Sequence, residues 1–360
     1  MAILKSLTVL ACSIFVLFPL LPPGLSNAQV IELKAACNQP IQHPLAQGQL
    51  HYLKEIEKRT NGKVKFNFFH TSTLVKSHQT HQALQSGLAD VVLPLAIWAF
   101  ERQYPVSRIL QYPFVPDSSL HGTLLYYRAY HEIPEIKKEY SDLKIIGLHM
   151  GDVANIGFVG PAAQNLEMMK GKRIFTGSAA SVDMMNLWGA TARTGKMEEV
   201  FMSLQTGGLD GALFPITPAF HLKLTEAMKN WTVIDAGGTC VPLAMSLKTW
   251  QSLPPDVQKE IEGLMPSVSR FCGTITTKER SWVNEEVKKK GGQLYSLPKE
   301  EREKWEKAVQ PLFDSWVADV KKIGVDGQAV LKKVKALAEE VRQELQKSPV
   351  KPDDWWGKAG

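Results

Sequence analysis

One short phrase occurs twice in this chain. Leu84–Asp90 reads LQSGLAD and Leu204–Asp210 reads LQTGGLD, 204 − 84 = 120 residues later. Each copy closes a helix-like stretch with Gly and opens an apolar, strand-like run. That run is Val91-Val92-Leu93-Pro94 after the first copy and Gly211-Ala212-Leu213-Phe214-Pro215 after the second. Just past a helix end the backbone turns left-handed, and Gly takes up that conformation without a Cβ clash. The phrase therefore marks one helix-to-strand corner used twice. Its separation is far longer than the ~20–50-residue period of a solenoid. Two similar lobes follow from this, and two lobes leave a cleft.

The 360 residues give room for about two domains. A hydrophobic content of 44% with 22% charged residues belongs to a globular chain and excludes a disordered one. The formal net charge is +6, but Lys and Arg alternate with Glu and Asp, above all after residue 280. That pattern gives solvated helix faces, so no nucleic-acid partner is expected.

Residues 1–28 read as a cleavable signal peptide. Lys5 supplies the positive charge, Leu7–Leu21 is almost wholly apolar, and Ser26-Asn27-Ala28 offers small residues for cleavage. The apolar run is short for a spanning helix, which needs ~20 residues. A lipoprotein reading through Cys12 would leave almost no apolar stretch before the cysteine. Export with a mature start at Gln29 is expected. The mature chain then holds Cys37, Cys240 and Cys272, an odd count that allows at most one bridge. Both Cys37–Cys240 and three buried thiols are open. No C-x-x-C occurs, so neither a redox centre nor a zinc knuckle is indicated.

Hydrophobic periodicity gives a strand near Val30–Ala36, a helix over His43–Arg59, a strand at Val64–Phe68 and a helix ending at Gly87. A third strand follows at Asp90–Leu95. This is the βαβαβ start of a parallel, doubly wound sheet. Further strands are expected at Leu143–Met150, Ile156–Val159 and Gly171–Phe175, and helices at Ser181–Leu187 and Glu198–Gln205. Trp231–Ala236 and Pro242–Leu247 read as strands returning to the first lobe. From Pro254 the pattern is helical, with Lys278–Lys290, Lys299–Ile323 and Ala329–Leu345 as units. The lobes are set at 29–150 plus about 240–345, and at 151–239, with 346–360 as a loose tail.

These pieces, in this order, resemble the periplasmic solute receptors of TRAP (tripartite ATP-independent periplasmic) transporters. The resemblance rests on the signal segment, on Asn38-Gln39-Pro40-Ile41-Gln42-His43-Pro44, and on Leu84-Gln85-Ser86-Gly87. Met169-Lys170-Gly171-Lys172-Arg173-Ile174, Leu204–Gly211 and Trp250-Gln251-Ser252-Leu253-Pro254 complete it. It covers essentially the whole mature chain. It implies a two-lobed α/β periplasmic binding protein fold with hinge strands and a helical C-terminal region. A small molecule would be held in the interlobe cleft and handed to a small and a large integral membrane subunit for ion-driven uptake. No cofactor, no metal and no catalysis are implied. A monomer is expected, with a dimer as the alternative.

The chain departs from the family pattern where a carboxylate would be gripped. Aligned on Lys170-Gly171, the usual Arg of the second-lobe strand is Phe175, with Arg173 two residues earlier on the same strand face. Phe214 stands where an Asn is frequent, and Asp152–Ile156 lacks a further Arg. A pocket with Phe175, Phe214 and Trp98 would favour an aromatic or hydrophobic ligand over a C4-dicarboxylate. A quaternary amine with Asp152 as counter-charge ranks second. The opposing reading makes both Phe side chains core residues. Strand ends, where open α/β sheets bind ligands, add Asn38, Gln39, Thr71, Ser72 and Thr217. Helix starts at Thr71 and Ser178 offer N–H groups to an anion. His78 and His81, at i and i+3, lack the carboxylates or thiols to complete a metal site.

A secreted enzyme is the weaker alternative: G-x-S-x-G, H-E-x-x-H, the P-loop and G-x-G-x-x-G are all absent from the sequence. A receptor that reports to a membrane sensor would carry the same closing lobes.

Overall fold

Each copy of the repeated phrase is the last corner of a complete βαβαβ unit in the computed structural model, which describes residues 30–97, 103–177 and 179–347. The signal segment, Trp98, Ser178 and residues 348–360 lie outside the described residues. The first unit comprises β1 (Ile31–Cys37), α1 (Pro44–Arg59), β2 (Val64–Phe69), α2 (Thr80–Ser86) and β3 (Val91–Leu93). The chain continues through α3 (Ser119–Glu132) and α4 (Pro134–Lys138) to β4 (Leu143–Gly147), then crosses to β5 (Ala154–Phe158). The second unit comprises β6 (Arg173–Phe175), α5 (Ala179–Leu187), β7 (Thr191–Arg193), α6 (Met197–Gln205) and β8 (Gly211–Pro215). Then come α7 (Ile216–His221), α8 (Leu224–Ala227), β9 (Asn230–Val233), β10 (Leu243–Ser246) and α9 (Leu247–Ser252). The chain ends with α10 (Pro255–Lys289), β11 (Gln293–Ser296), α11 (Lys299–Ala308), α12 (Gln310–Lys321) and α13 (Gly327–Lys347).

Five strands form one sheet in the order β2-β1-β3-β10-β4, and six form the other in the order β11-β9-β5-β8-β6-β7. In both units the first strand sits between the other two and pairs with them in parallel. The repeated Asp clips each unit together. Asp90 Oδ2 accepts the Lys34 N–H at 2.8 Å, and the Asp90 N–H donates to the Lys34 carbonyl at 2.9 Å. Asp210 makes the same two bonds to Arg173, at 2.8 and 2.9 Å. Gly87 and Gly207 take φ of 75° and 76°, the left-handed turn each corner needs.

Two segments carry the chain between sheets, 148–153 and 234–242, and they run antiparallel past one another. Met150 and Cys240 form a bridge, the Val241 N–H reaches the His149 carbonyl at 2.8 Å, and the Gly151 N–H reaches the Thr239 carbonyl at 2.9 Å. These are the hinge strands. Of the two expected return strands only β10 enters the first sheet, antiparallel between β3 and β4. β9 stays in the second sheet, because its partner is β5.

The helical region binds both lobes. α10 is a single helix of 35 residues, about 52 Å at 1.5 Å per residue, where only its last turns read as a separate unit in the sequence. It packs on α1 and α3 in the first lobe and on α7 and β11 in the second. β11 pairs with β9 and so belongs to the second sheet, whereas its place in the sequence puts it with the first lobe. The stretch expected as one helix over Lys299–Ile323 breaks at Val309. Pro311, in the first turn of α12, has no N–H to continue the ladder and its ring crowds the preceding turn. Trp305 of α11 meets Trp188, just past the end of α5, edge-on at 4.8 Å, while the Trp316 indole donates to the Pro105 carbonyl at 2.8 Å.

Cys37, Cys240 and Cys272 are buried free thiols. Burial pushes the Cys37 thiol up to about 11. Among the described residues no helix is long and apolar enough to cross a membrane.

Candidate binding cleft

A cavity of about 300 Å³ lies between the second sheet, the 3₁₀ turn Ser107–Gln111 and α12. Its walls are Tyr112, Met184, Leu213, Phe214 and Leu312, with Gly237 and Gly238 of the returning hinge segment beside them. The polar residues lining it are Arg108, Gln111, Asp152, Thr176, Ser181 and Thr239. A mostly apolar wall with a few converging polar groups is the usual make-up of a small-molecule site, and the volume sits at the lower end of the usual range.

Three of those polar groups have unused bonding capacity, Thr176, Arg108 and Asp152, whose Oδ1 is buried without a hydrogen-bond partner. Thr176 is 1% exposed and its Oγ1 has no hydrogen-bond partner. Arg108 Nε is likewise buried without a partner, while its Nη2 lies 3.5 Å from an Asp319 carboxylate oxygen. A buried polar group left unpaired costs free energy that a ligand can return.

Gly237 is fixed by its surroundings. Its φ is +92°, and a Cβ there would sit 2.1 Å from the Gln111 carbonyl oxygen. Gly237→Ala should therefore lose about 3 kcal/mol or more of stability, from strain and displaced backbone together. A urea titration reads this as a lowered midpoint.

Strand alternation sorts the second-lobe candidates. Ile174 and Phe175 face opposite sides of β6, and the cavity is on the side of Ile174 and Thr176. Phe175 therefore faces away. Its ring is 4% exposed in the apolar cluster with Val200, Leu204 and Leu209 under α6. The proposed aromatic wall at Phe175 is thus a core contact. Arg173 shares that parity and is taken up by structure. Its Nε and Nη2 donate to Asp210 Oδ2 and Oδ1 at 3.0 and 2.9 Å, beside the repeat's backbone clip. Phe214 borders the cavity at the end of β8, but the register sets Phe175 beside Ala212, so Phe214 shares that face and its half-buried ring packs on the same apolar cluster; Leu213 is the β8 side chain on the cavity side.

Asp152 lines it too, and one of its two carboxylate oxygens is engaged. Oδ2 accepts the Thr217 hydroxyl at 2.8 Å and the Thr217 N–H at 3.3 Å. Arg280 of α10 lies 3.7 Å from Oδ1 and donates to Asp235 at 2.8 Å. Burial raises the Asp152 carboxyl above its ordinary value, against the pull of Arg280 and Thr217. With a guanidinium already at hand, Asp152 is poorly placed to counter a quaternary ammonium. Thr217 stands behind it as its hydrogen-bond donor.

The first-lobe candidates gather at the C-terminal ends of β1 and β2, away from this cavity. Asn38 donates to Ser77 at 3.3 Å, and its Oδ1 is buried without a partner. The Thr71 N–H bonds the Gln39 carbonyl at 2.9 Å and the Ser72 N–H bonds the Cys37 carbonyl at 3.1 Å. Thr71 and Ser72 hold φ of 56° and 53°, a tight turn and not a helix cap; α2 begins only at Thr80. His78 is exposed in a 3₁₀ turn, whereas His81 is buried and bonds Asp142 at 3.0 Å, so the two do not form a pair.

The profile described as bacterial extracellular solute-binding protein, family 7, matches residues 36–319. The chain belongs to this family. The family 7 receptor is 24% identical over 307 residues to the C4-dicarboxylate-binding periplasmic protein DctP of Rhodobacter capsulatus, covering 80% of this chain and 86% of that one. Its fold matches an open TRAP periplasmic solute-binding protein of Desulfovibrio salexigens, with a TM-score of 0.79 at 23% identity over 89% of this chain and 98% of the other. It also matches a TRAP solute-binding protein of Rhodoferax ferrireducens that holds copurified benzoate. The TM-score there is 0.77 at 17% identity, over 88% and 99%. A marine metagenome protein with 3-hydroxybenzoate gives 0.77 at 18%, over 87% and 99%. The chain is therefore a TRAP-type solute receptor, built on the two-lobed α/β fold.

Arg108, Gln111, Tyr112, Thr176, Ser181 and Met184 line the cavity of this family 7 receptor without a sequence signal that marks them as ligand contacts. Arg108 lies in a Pro-punctuated stretch that carries no helical or strand period. Thr176 was legible in principle, because it is the residue of opposite parity to Phe175 at the end of β6.

Proposed function

We propose that this receptor captures an aromatic monocarboxylate in the cavity beside Phe214 and Thr176 and delivers it to TRAP membrane subunits. The observation that carries this reading is the pairing of an apolar, aromatic wall with one cation, Arg108, at a single cavity. Tyr112 and Leu213 would cover the ring with the edge of Phe214 beside them, and the Arg108 guanidinium and Thr176 hydroxyl would take the carboxylate. A short dicarboxylate would need a second cation, and Arg280 is already paired with Asp152 and Asp235. The benzoate and 3-hydroxybenzoate held by fold neighbours support the ligand class. Export to the periplasm, action as a monomer, and release of the ligand unaltered complete the reading.

Titration calorimetry of the mature chain against benzoate, 3-hydroxybenzoate, mandelate, succinate and galacturonate tests it. The aromatic acids should bind at least tenfold more tightly than succinate. Phe214→Ala should weaken them roughly 10- to 100-fold, the equivalent of about 1.5–3 kcal/mol of lost ring burial. Tighter binding of succinate, or an unchanged affinity in Phe214→Ala, overturns the reading.

A further inference from the structure

Three side chains far apart in sequence meet at the junction of the lobes. His43 precedes the first turn of α1, His221 ends α7, and Glu279 lies on α10 between them. His221 Nε2 is 2.9 Å from Glu279 Oε1, and His43 Nε2 is 3.7 Å from Glu279 Oε2. One donor atom from each lies within 4.8 Å of the others, the one such group among the described residues. We propose that His43, His221 and Glu279 form a site for a divalent transition metal, zinc(II) by its donor set, that ties the two lobes together.

The donor chemistry selects the ion. Two imidazoles and one carboxylate suit zinc, whereas magnesium and calcium take oxygen donors. Zinc bound to nitrogen at about 2.0–2.1 Å and to oxygen at about 2.0–2.2 Å needs tetrahedral donors about 3.3 Å apart. The two nitrogen–oxygen separations, 2.9 and 3.7 Å, bracket that value, so small side-chain shifts close the site, with a fourth position left to solvent. Neutral His43 and His221 with ionised Glu279 leave one net positive charge on the bound ion. His43 must change its tautomer. Its Nδ1 now accepts the Leu45 N–H at 3.2 Å, which places the ring proton on Nε2. Coordination through Nε2 moves that proton to Nδ1 and releases the Leu45 N–H, which holds the affinity to the order of micromolar rather than tighter.

The placement gives the site a consequence. His43 moves with the first lobe and His221 with the second, so an ion held by both favours whichever lobe arrangement brings them together. The receptor's approach of lobes would then respond to zinc as well as to its solute.

Calorimetry on chelator-treated mature protein with zinc chloride should show one ion per chain with a Kd on the order of micromolar, and no comparable binding of magnesium or calcium. His221→Ala alters an exposed side chain at a helix end and should weaken zinc at least tenfold while leaving the melting temperature without metal unchanged. Small-angle scattering should show a smaller radius of gyration with zinc in the wild type and no change in His221→Ala. Glu279→Gln should also weaken the ion at least tenfold. Absence of zinc binding, or binding that survives both substitutions, overturns the site; binding without compaction overturns the tie between lobes. Both readouts are made without solute, so they stand apart from the fate of the aromatic-acid reading.

Discussion

Arg280→Met should lower the unfolding free energy by about 3–5 kcal/mol, the usual cost of removing one partner from a buried ion pair. The Arg280 side chain is 12% exposed and stands between two carboxylates, Asp152 at 3% and Asp235 at 17%. It comes from α10, while both acids lie on or beside the two crossing hinge segments. Removing it leaves the buried Asp152 carboxylate, on the wall of the cavity, without its cation, while the half-buried Asp235 keeps only Arg302 at 4.0 Å. Methionine fills most of the volume, so a loss of that size reports the charges and not a void. Burial already holds the Asp152 carboxyl above its ordinary value, and without Arg280 it must rise further. Protonating Asp152 then removes the orphaned charge. The deficit should therefore shrink as the pH is lowered from about 8 to about 5, because the folded variant takes up a proton that the unfolded chain takes up only at lower pH. Urea unfolding of both proteins across that range checks it. A deficit that stays constant with pH would assign the loss to packing and would free Asp152 for a role toward the ligand.

The repeat was the most legible part of this fold. Its Gly and its apolar follow-on mark a corner from composition alone, and the structure extends that corner to matched βαβαβ units. What the phrase does not display is the purpose of its last letter. Asp90 and Asp210 hold the neighbouring strand through backbone bonds, and a side chain bonded to backbone leaves no partner residue for a sequence to reveal. Arg173 is a separate case: its two side-chain bonds to Asp210 reinforce that clip and are not made to a ligand. Phe175 illustrates a different limit. β6 is three residues long, too short for alternation to show which face meets the core. β7 and β11 are three and four residues and lack a fully buried position, so neither has an apolar signature. Arg108 sits in a 3₁₀ turn, where no period exists to read. His43, His221 and Glu279 come together only because α10 passes both lobes, and that path is a property of the tertiary fold.

The hinge should make this receptor sensitive to acid through one buried histidine. His149 lies in the outgoing segment, and its carbonyl accepts the Val241 N–H of the returning one. Its ring is 2% exposed, with Nε2 at 3.1 Å from Thr276 Oγ1 and Nδ1 buried without a partner. Burial, with a smaller push from His43, lowers its pKa to about 3. In the unfolded chain the same ring titrates near 6.5. Between those values the unfolded state binds a proton that the folded state refuses, so stability is full above about pH 6.5 and declines as the pH falls toward about 3. The slope approaches about 1.4 kcal/mol per pH unit, and the whole window amounts to several kcal/mol. Carboxylates lose their ion pairs over part of the same range, so the wild-type curve alone does not isolate the ring. His149→Gln keeps a polar side chain for Thr276 and removes the titration. Its unfolding free energy should fall less steeply than the wild type's between about pH 6.5 and about pH 4, even if it starts lower at neutral pH. Parallel curves would mean that the ring escapes burial before it charges, through an opening of the crossing segments. Hydrogen exchange at the Val241 and Gly151 amides would then show that opening directly, because those two bonds close the hinge.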